Sequence, residues 1–222
     1  VLPHLQKMPY VVDEIQYVSL VARVPQVITV GPKVAVTTLT ELVAMAKKDP
    51  GSLNYGSAGN ATTPHLGAEL FAQEAGIKMV HVAYKGAAPA VTALLGGEIQ
   101  VLAADLPAVL QFTARGVKIL AVSGARRSEA LPNVPTTAEL GLPGVVSESN
   151  YGIIAAKGTP AAIVQKMQAA LVSTLATPEV VSRIATMGAV AVSTTPDEYR
   201  KLMQQESVKW GAVVKKAKIT LD

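Results

Sequence analysis

Between residues 53 and 107 the chain runs three times from a short apolar strand through a polar turn into a helix, and this repetition constrains the fold more than any other feature. The strands are expected at Leu53 to Ser57, Met79 to Ala83 and Ile99 to Ala103. The turns are 57–63, Tyr84-Lys85-Gly86 and Ala104-Asp105. Strands joined through helices need crossover connections, so a mostly parallel sheet flanked by helices follows. In such sheets ligands gather beyond the carboxyl ends of the strands, where all three turns lie.

The first turn, Ser57-Ala58-Gly59-Asn60-Ala61-Thr62-Thr63, has the chemistry of an anion cradle. Thr62 or Thr63 is a plausible N-cap, and Pro64 is preset for the first helical position. Backbone N–H groups at the helix start then lack helical partners, and a carboxylate or phosphate beside the positive end of the helix dipole can satisfy them. A Gly/Ser turn of this kind also serves simply to reverse the chain. It matches neither G-x-x-x-x-G-K-[ST] nor G-x-G-x-x-G, so nucleotide motifs are not supported.

Upstream, residues 1–17 mix Pro, His, Gln and acidic residues, and read as the tail of something rather than the start of a domain. Val18 to Ala22 and Val24 to Val30 read as two buried strands broken at Pro25. Thr38-Leu39-Thr40-Glu41 is a capping box, and Leu39, Leu42, Val43 and Ala46 form one face of the helix it opens. Leu66, Leu70 and Phe71 supply the buried face of a second helix ending at Gly76, and Gly96-Gly97 ends a third. Val117 to Ser123 is a further strand. A loop from Arg126 to Pro143 follows, with a capped turn at Thr136 to Glu139. After a boundary near 144–151, a strand starts at Tyr151 and the chain becomes mostly helical. Thr159-Pro160, Thr177-Pro178 and Thr195-Pro196 each read as an N-cap with Pro at the first helical position. A short strand at Ala189 to Ser193 separates the last two helices. In the last, Tyr199, Leu202, Met203, Trp210 and Val213-Val214 are available for burial, and the basic 215–218 end complements the helix dipole.

With 222 residues the chain is long enough for one large domain or two small ones, and 50% hydrophobic against 16% charged residues describes an ordered globular protein. A net charge of +4 without an arginine-rich patch gives a nucleic-acid partner little support. No apolar run approaches the ~18 residues of a membrane span. Cysteine is absent, which removes disulfides, thiol nucleophiles and cysteine-ligated metals. The opening residues show no secretory signal, so the chain is expected to be cytoplasmic or already processed.

Individual side chains divide between sharp and bland readings. His65, one turn into its helix, either donates to a bound anion or packs under the turn, and the packing role is preferred. A Ser57/His65/Asp105 triad is disfavoured, because there is no G-x-S-x-G elbow and helical neighbours rarely orient a base onto such a serine. His4 and His81 are too scattered for a metal site, and His81 reads as strand packing. Lys85 is the best cation for an anionic ligand, or a solvated turn lysine. Asp105 is expected as an N-cap and as a ligand contact. Arg126-Arg127 reads as a solvated loop.

Four segments also resemble one family. Tyr55-Gly56-Ser57-Ala58-Gly59-Asn60, His81 to Ala90, Leu131-Pro132-Asn133-Val134-Pro135-Thr136 and Tyr151-Gly152-Ile153-Ile154-Ala155 are similar to, and in the order of, the extracytoplasmic receptors of tripartite tricarboxylate transporters, the Bug proteins. The resemblance implies a type II periplasmic binding protein of two α/β lobes, one of residues 25–145 and the other, incomplete, of 1–24 with 146–222. It implies a periplasmic, monomeric, non-enzymatic receptor that closes on a small carboxylate or amino-acid-like solute and delivers it to integral membrane transporter subunits, without a cofactor. The ligand contacts it implies are Ser57, Ala58, Gly59, Asn60, Ala61, Thr62, Thr63, Tyr84, Lys85, Gly86, Asp105 and an aromatic wall at Tyr151. Two departures stand out. The family's first strand, ligand loop and helix have no counterpart here, and Ala104-Asp105 replaces its usual Asp-Asn, which shifts the expected preference towards amine-bearing or less charged solutes. A ligand-sensing regulatory domain of the same fold and a small α/β enzyme acting on carboxylates are the alternatives.

Overall fold

The computed structural model describes residues 1–9 and 12–221. The chain divides into two units, Pro25–Ser149 on the one hand and Val1–Val24 with Asn150–Asp222 on the other. Residues 146–149 stay with the 25–149 unit rather than leaving it at 145. Ser147 donates its N–H to Ser123 O at 2.7 Å and accepts the Gln26 N–H at 3.1 Å.

In the 25–149 unit the strands are β1 (Gln16–Val30, from Pro25 onward), β2 (Asn54–Ser57), β3 (Val80–Ala83), β4 (Val101–Asp105) and β5 (Lys118–Val122). Their order is β3-β2-β4-β1-β5. β2 runs parallel to both β3 and β4, as the strand-turn-helix repeats require, with α2 (Thr63–Ala75) and α3 (Ala87–Gly96) as crossovers. The expected mostly parallel sheet is in fact mixed: β1 is inserted antiparallel between β4 and β5. No helical crossover ties β1 to either neighbour, so nothing in the local sequence dictates its direction.

β1 is also one strand rather than two. Pro25 falls between the ladder to β7 (Val190–Ala191), which reaches Arg23, and the ladder to β4, which starts at Gln26. Neither ladder needs the N–H that proline lacks.

Side chains alternate across this sheet. Ile28, Val30, Tyr55, Val101 and Ala103 pack with Leu39 and Leu42 of α1 (Leu39–Lys48) and Phe71 and Ala72 of α2. Val27, Leu102 and Ala104 face the other way, onto Val91 and Leu94 of α3 and Leu106 and Val109 of α4 (Leu106–Leu110). The Thr38–Glu41 capping box opens α1, and Gly76 and Gly97 close α2 and α3 in the left-handed conformation. In the 126–143 loop the exposed Arg127 is ion-paired with Glu139 at 2.9 Å. Glu139 also closes the capped turn on the Thr136 N–H at 2.7 Å.

The other unit holds the first part of β1, most of β6 (Glu148–Ala155), α5 (Ala161–Leu175), α6 (Pro178–Thr186), β7 and α7 (Pro196–Ala217). β6 begins three residues before the expected Tyr151. Thr195 and Glu198 form a reciprocal capping box at α7, whose Tyr199, Trp210, Val213 and Val214 are buried, with Leu202 and Met203 half-buried. Thr159 does not cap α5. Pro160 occupies the N-cap position, and the Thr159 hydroxyl donates to Ala156 O at 2.8 Å. Both large apolar clusters belong to the 25–149 unit, whereas α5 buries only Leu175, and Ile163, Met167 and Val172 on it are exposed. No described helix is long and apolar enough to cross a membrane.

Candidate functional site

The parallel register of β2, β3 and β4 brings their carboxyl ends to one edge of the sheet, and with them the turns at 57–63, 84–86 and 105. The first two turns are hydrogen-bonded to each other. Tyr84 N–H donates to Ser57 O at 3.2 Å and Gly86 N–H to Ala58 O at 3.0 Å. Gly59 and Gly86 adopt φ of 143° and 109°, a region that side chains strain to enter, and a Cβ on Gly59 would stand 3.4 Å from Tyr84 O.

Within the 57–63 turn, the expectation of several unpartnered N–H groups is corrected. The Gly59 N–H donates to Ser57 Oγ at 3.2 Å, the Thr62 N–H to Gly59 O at 3.3 Å, and the Ala61 N–H to His65 Nδ1 at 3.1 Å. Ala61 is held at φ 57°, unusual for a residue with a side chain. Thr62 occupies the N-cap position of α2 but does not cap it, because its hydroxyl donates to Gly59 O at 2.7 Å. No side chain caps α2 or α3. The positive ends of α2 and α3, on opposite faces of the sheet, therefore both open on the same edge, near the exposed Lys85.

Beneath the turn lies a stack that the sequence did not signal. The His65 and His81 rings are 3.7 Å apart at 18°, and Tyr55 continues the stack 4.9 Å from His81. His81 follows from register: it sits opposite Tyr55 in the parallel pairing, on the face covered by α2. Its Nε2 lies 2.7 Å from the fully buried Ser57 Oγ, which also donates to Gly59 O at 3.0 Å. Burial, and then the neighbouring His81, lower the pKa of His65 to about 4, and burial lowers that of His81, so both rings are neutral near pH 7. The Tyr55 hydroxyl donates to Glu69 at 2.5 Å, and burial followed by the Glu69 charge pushes its pKa far up.

His65 thus packs under the turn, as preferred, and in addition accepts a hydrogen bond there. Ser57 meets His81 rather than His65, and Asp105 accepts from the Ser149 hydroxyl at 2.8 Å without capping α4, so the 57/65/105 set is not a triad. Tyr151 belongs to the other unit, where it is exposed on β6.

The model of the tripartite tricarboxylate transporter family receptors matches residues 1–219. The chain belongs to that family. Among curated relatives of this chain, BugT of Bordetella pertussis is 34% identical over 213 residues, 95% of this chain and 65% of BugT. A UPF0065 protein from the gbd 5' region of Cupriavidus necator is 38% identical over 168 residues, 75% of this chain and 51% of that protein. The chain thus spans between about half and two thirds of these relatives' length. Among solved structures, R. palustris Rpa4515 with adipate superposes with a TM-score of 0.89 at 30% identity, covering 98% of this chain and 74% of that one. MatC from Rhodopseudomonas palustris with bound malate gives 0.81 at 26% identity, covering 94% and 73%.

Proposed function

We propose that this receptor-family protein captures a small carboxylate or related organic solute at the carboxyl edge of β2, β3 and β4, and delivers it to the membrane subunits of a tripartite tricarboxylate-type transporter from the periplasm. Its two units are read as the two lobes of such a receptor. One observation carries the ligand class: two helices, one on each face of the sheet, begin uncapped at one sheet edge, beside a turn that is already folded around Gly59 and Ala61. Helix N-termini favour anions through their dipoles and their unpaired N–H groups. The adipate and malate bound to the two solved relatives agree with that preference. Ala58, Asn60, Thr62, Thr63, Tyr84, Lys85, Gly86 and Asp105 are the surrounding groups from which the solute draws its contacts.

The test is a thermal-shift and calorimetric screen against C3 to C6 mono- and dicarboxylates, adipate and malate included, together with amino acids. A solute at ~100 times its dissociation constant adds about 2.7 kcal/mol of stability. Thr62→Ala and Lys85→Ala are expected to weaken the response. Silence from every carboxylate, or full affinity in both variants, refutes the assignment.

A further inference from the structure

We propose that His65 is the positioning residue of the 57–61 turn and makes carboxylate capture acid-labile, because its Nδ1 can hold the Ala61 N–H only while the ring is neutral. This rests on the receptor reading above. Three observations lead to it. The Ala61 N–H donates to His65 Nδ1 at 3.1 Å, which places the ring proton on Nε2 and makes Nδ1 an acceptor. Ala61 is the left-handed residue of the turn, so this bond helps to hold a strained backbone in place. The His81 ring lies 3.7 Å away, so a charge on either imidazole would be stacked against its neighbour inside a buried site.

The groups facing His65 do little to favour its charged form. From β3 comes His81, and from β2 Tyr55, 6.2 Å away ring to ring, whose hydroxyl is held by Glu69 of α2. On the neighbouring turns, Asp105 at the end of β4 is bonded to Ser149 and Lys85 after β3 is exposed, while the lowered His65 pKa arises from burial and His81. Burial and His81 together hold the His65 pKa at about 4 while the turn is formed. Protonation converts Nδ1 from acceptor to donor, so the Ala61 bond is lost and the turn opens.

The sign separates this role from its rival. An imidazolium that touched the solute directly would strengthen anion binding as pH falls; a positioning imidazole weakens it. If opening the turn restores the ordinary histidine pKa, acidification to pH 5 favours the open form by at most about thirtyfold.

The experiment titrates adipate into the wild-type protein and His65→Asn from pH 7.5 to pH 5, with His65→Ala alongside. The asparagine oxygen replaces Nδ1 as acceptor and does not titrate. Wild type is expected to lose affinity in acid more steeply than His65→Asn, and His65→Ala to bind weakly already at pH 7.5. The dicarboxylate's own titration is common to all three proteins, so the difference between profiles belongs to His65. Superimposable profiles, or tighter wild-type binding in acid, overturn the proposal. Hydrogen exchange of the Ala61 amide in the ligand-free wild type decides the same point without a solute. Protection that falls at pH 5, beyond the ordinary pH dependence of exchange, supports the release, and unchanged protection refutes it. If adipate and the other carboxylates give no heat, the receptor reading fails while the amide still reports on the turn.

Discussion

Gly67 lies in the interior of α2, where replacing glycine with alanine ordinarily stabilises a helix by about 0.5–1 kcal/mol through lower backbone entropy in the unfolded chain. The packing predicts the opposite sign here. A Cβ at this position would stand 2.1 Å from Gln26 Oε1 and 2.7 Å from Ser147 Oγ. Neither atom can retreat without loss, because the Ser147 hydroxyl donates to that same Gln26 oxygen at 2.7 Å and both residues are fully buried. Displacing the pair forfeits a buried hydrogen bond, a cost of about 1–3 kcal/mol with its desolvation, and overpacking adds a similar amount. Subtracting the helix gain leaves Gly67→Ala destabilised by roughly 1–5 kcal/mol. Urea unfolding at pH 7.5 measures it, with Gly96→Ala as the internal control. Gly96 is the exposed last residue of α3, and a Cβ there would meet only Glu98 Oε1, at 3.8 Å. The control is expected to hold or raise the unfolding midpoint and Gly67→Ala to lower it. A Gly67→Ala midpoint at or above wild type refutes the reasoning.

Two further outcomes follow from other contacts. The folded-state pKa of His65, about 4, lies below its unfolded value of about 6.5, so the unfolded chain binds the extra proton. The contribution to stability is complete above pH 6.5 and is lost as pH falls towards 4, up to roughly 3 kcal/mol, and unfolding at pH 7 and pH 4.5 with His65→Asn for comparison reads it. Thr195→Ala removes the reciprocal cap of α7, in which Thr195 Oγ accepts the Glu198 N–H at 3.2 Å and Glu198 accepts the Thr195 N–H at 2.8 Å. The expected loss is about 1 kcal/mol, seen as a lower thermal midpoint.

Local chemistry carried much of the architecture. The Thr38 and Thr195 capping boxes, the left-handed Gly76 and Gly97, and the β2-α2-β3-α3-β4 repeat were all legible, because each depends on residues a few positions apart. From the repeat alone it followed that the turns after β2, β3 and β4 share one edge. The motifs likewise pointed to the receptor family to which the chain belongs.

The antiparallel insertion of β1 was not legible, since no helical crossover joins it to β4 or β5 and residue propensity carries no strand direction. Nor was the role of His81. It reads as an ordinary strand residue until the parallel register sets it against Tyr55 and brings His65 of α2 over it. Thr62 shows the same limit from the other side. Its residue type is right for a cap, yet its hydroxyl turns back to Gly59, because the left-handed Ala61 aims it there. Sequence alone determined which backbone groups face the edge of the sheet, because that follows from period and punctuation. Only the tertiary structure decided which of those groups the protein satisfies itself, because the partners, His65 among them, reach the turn through packing between layers.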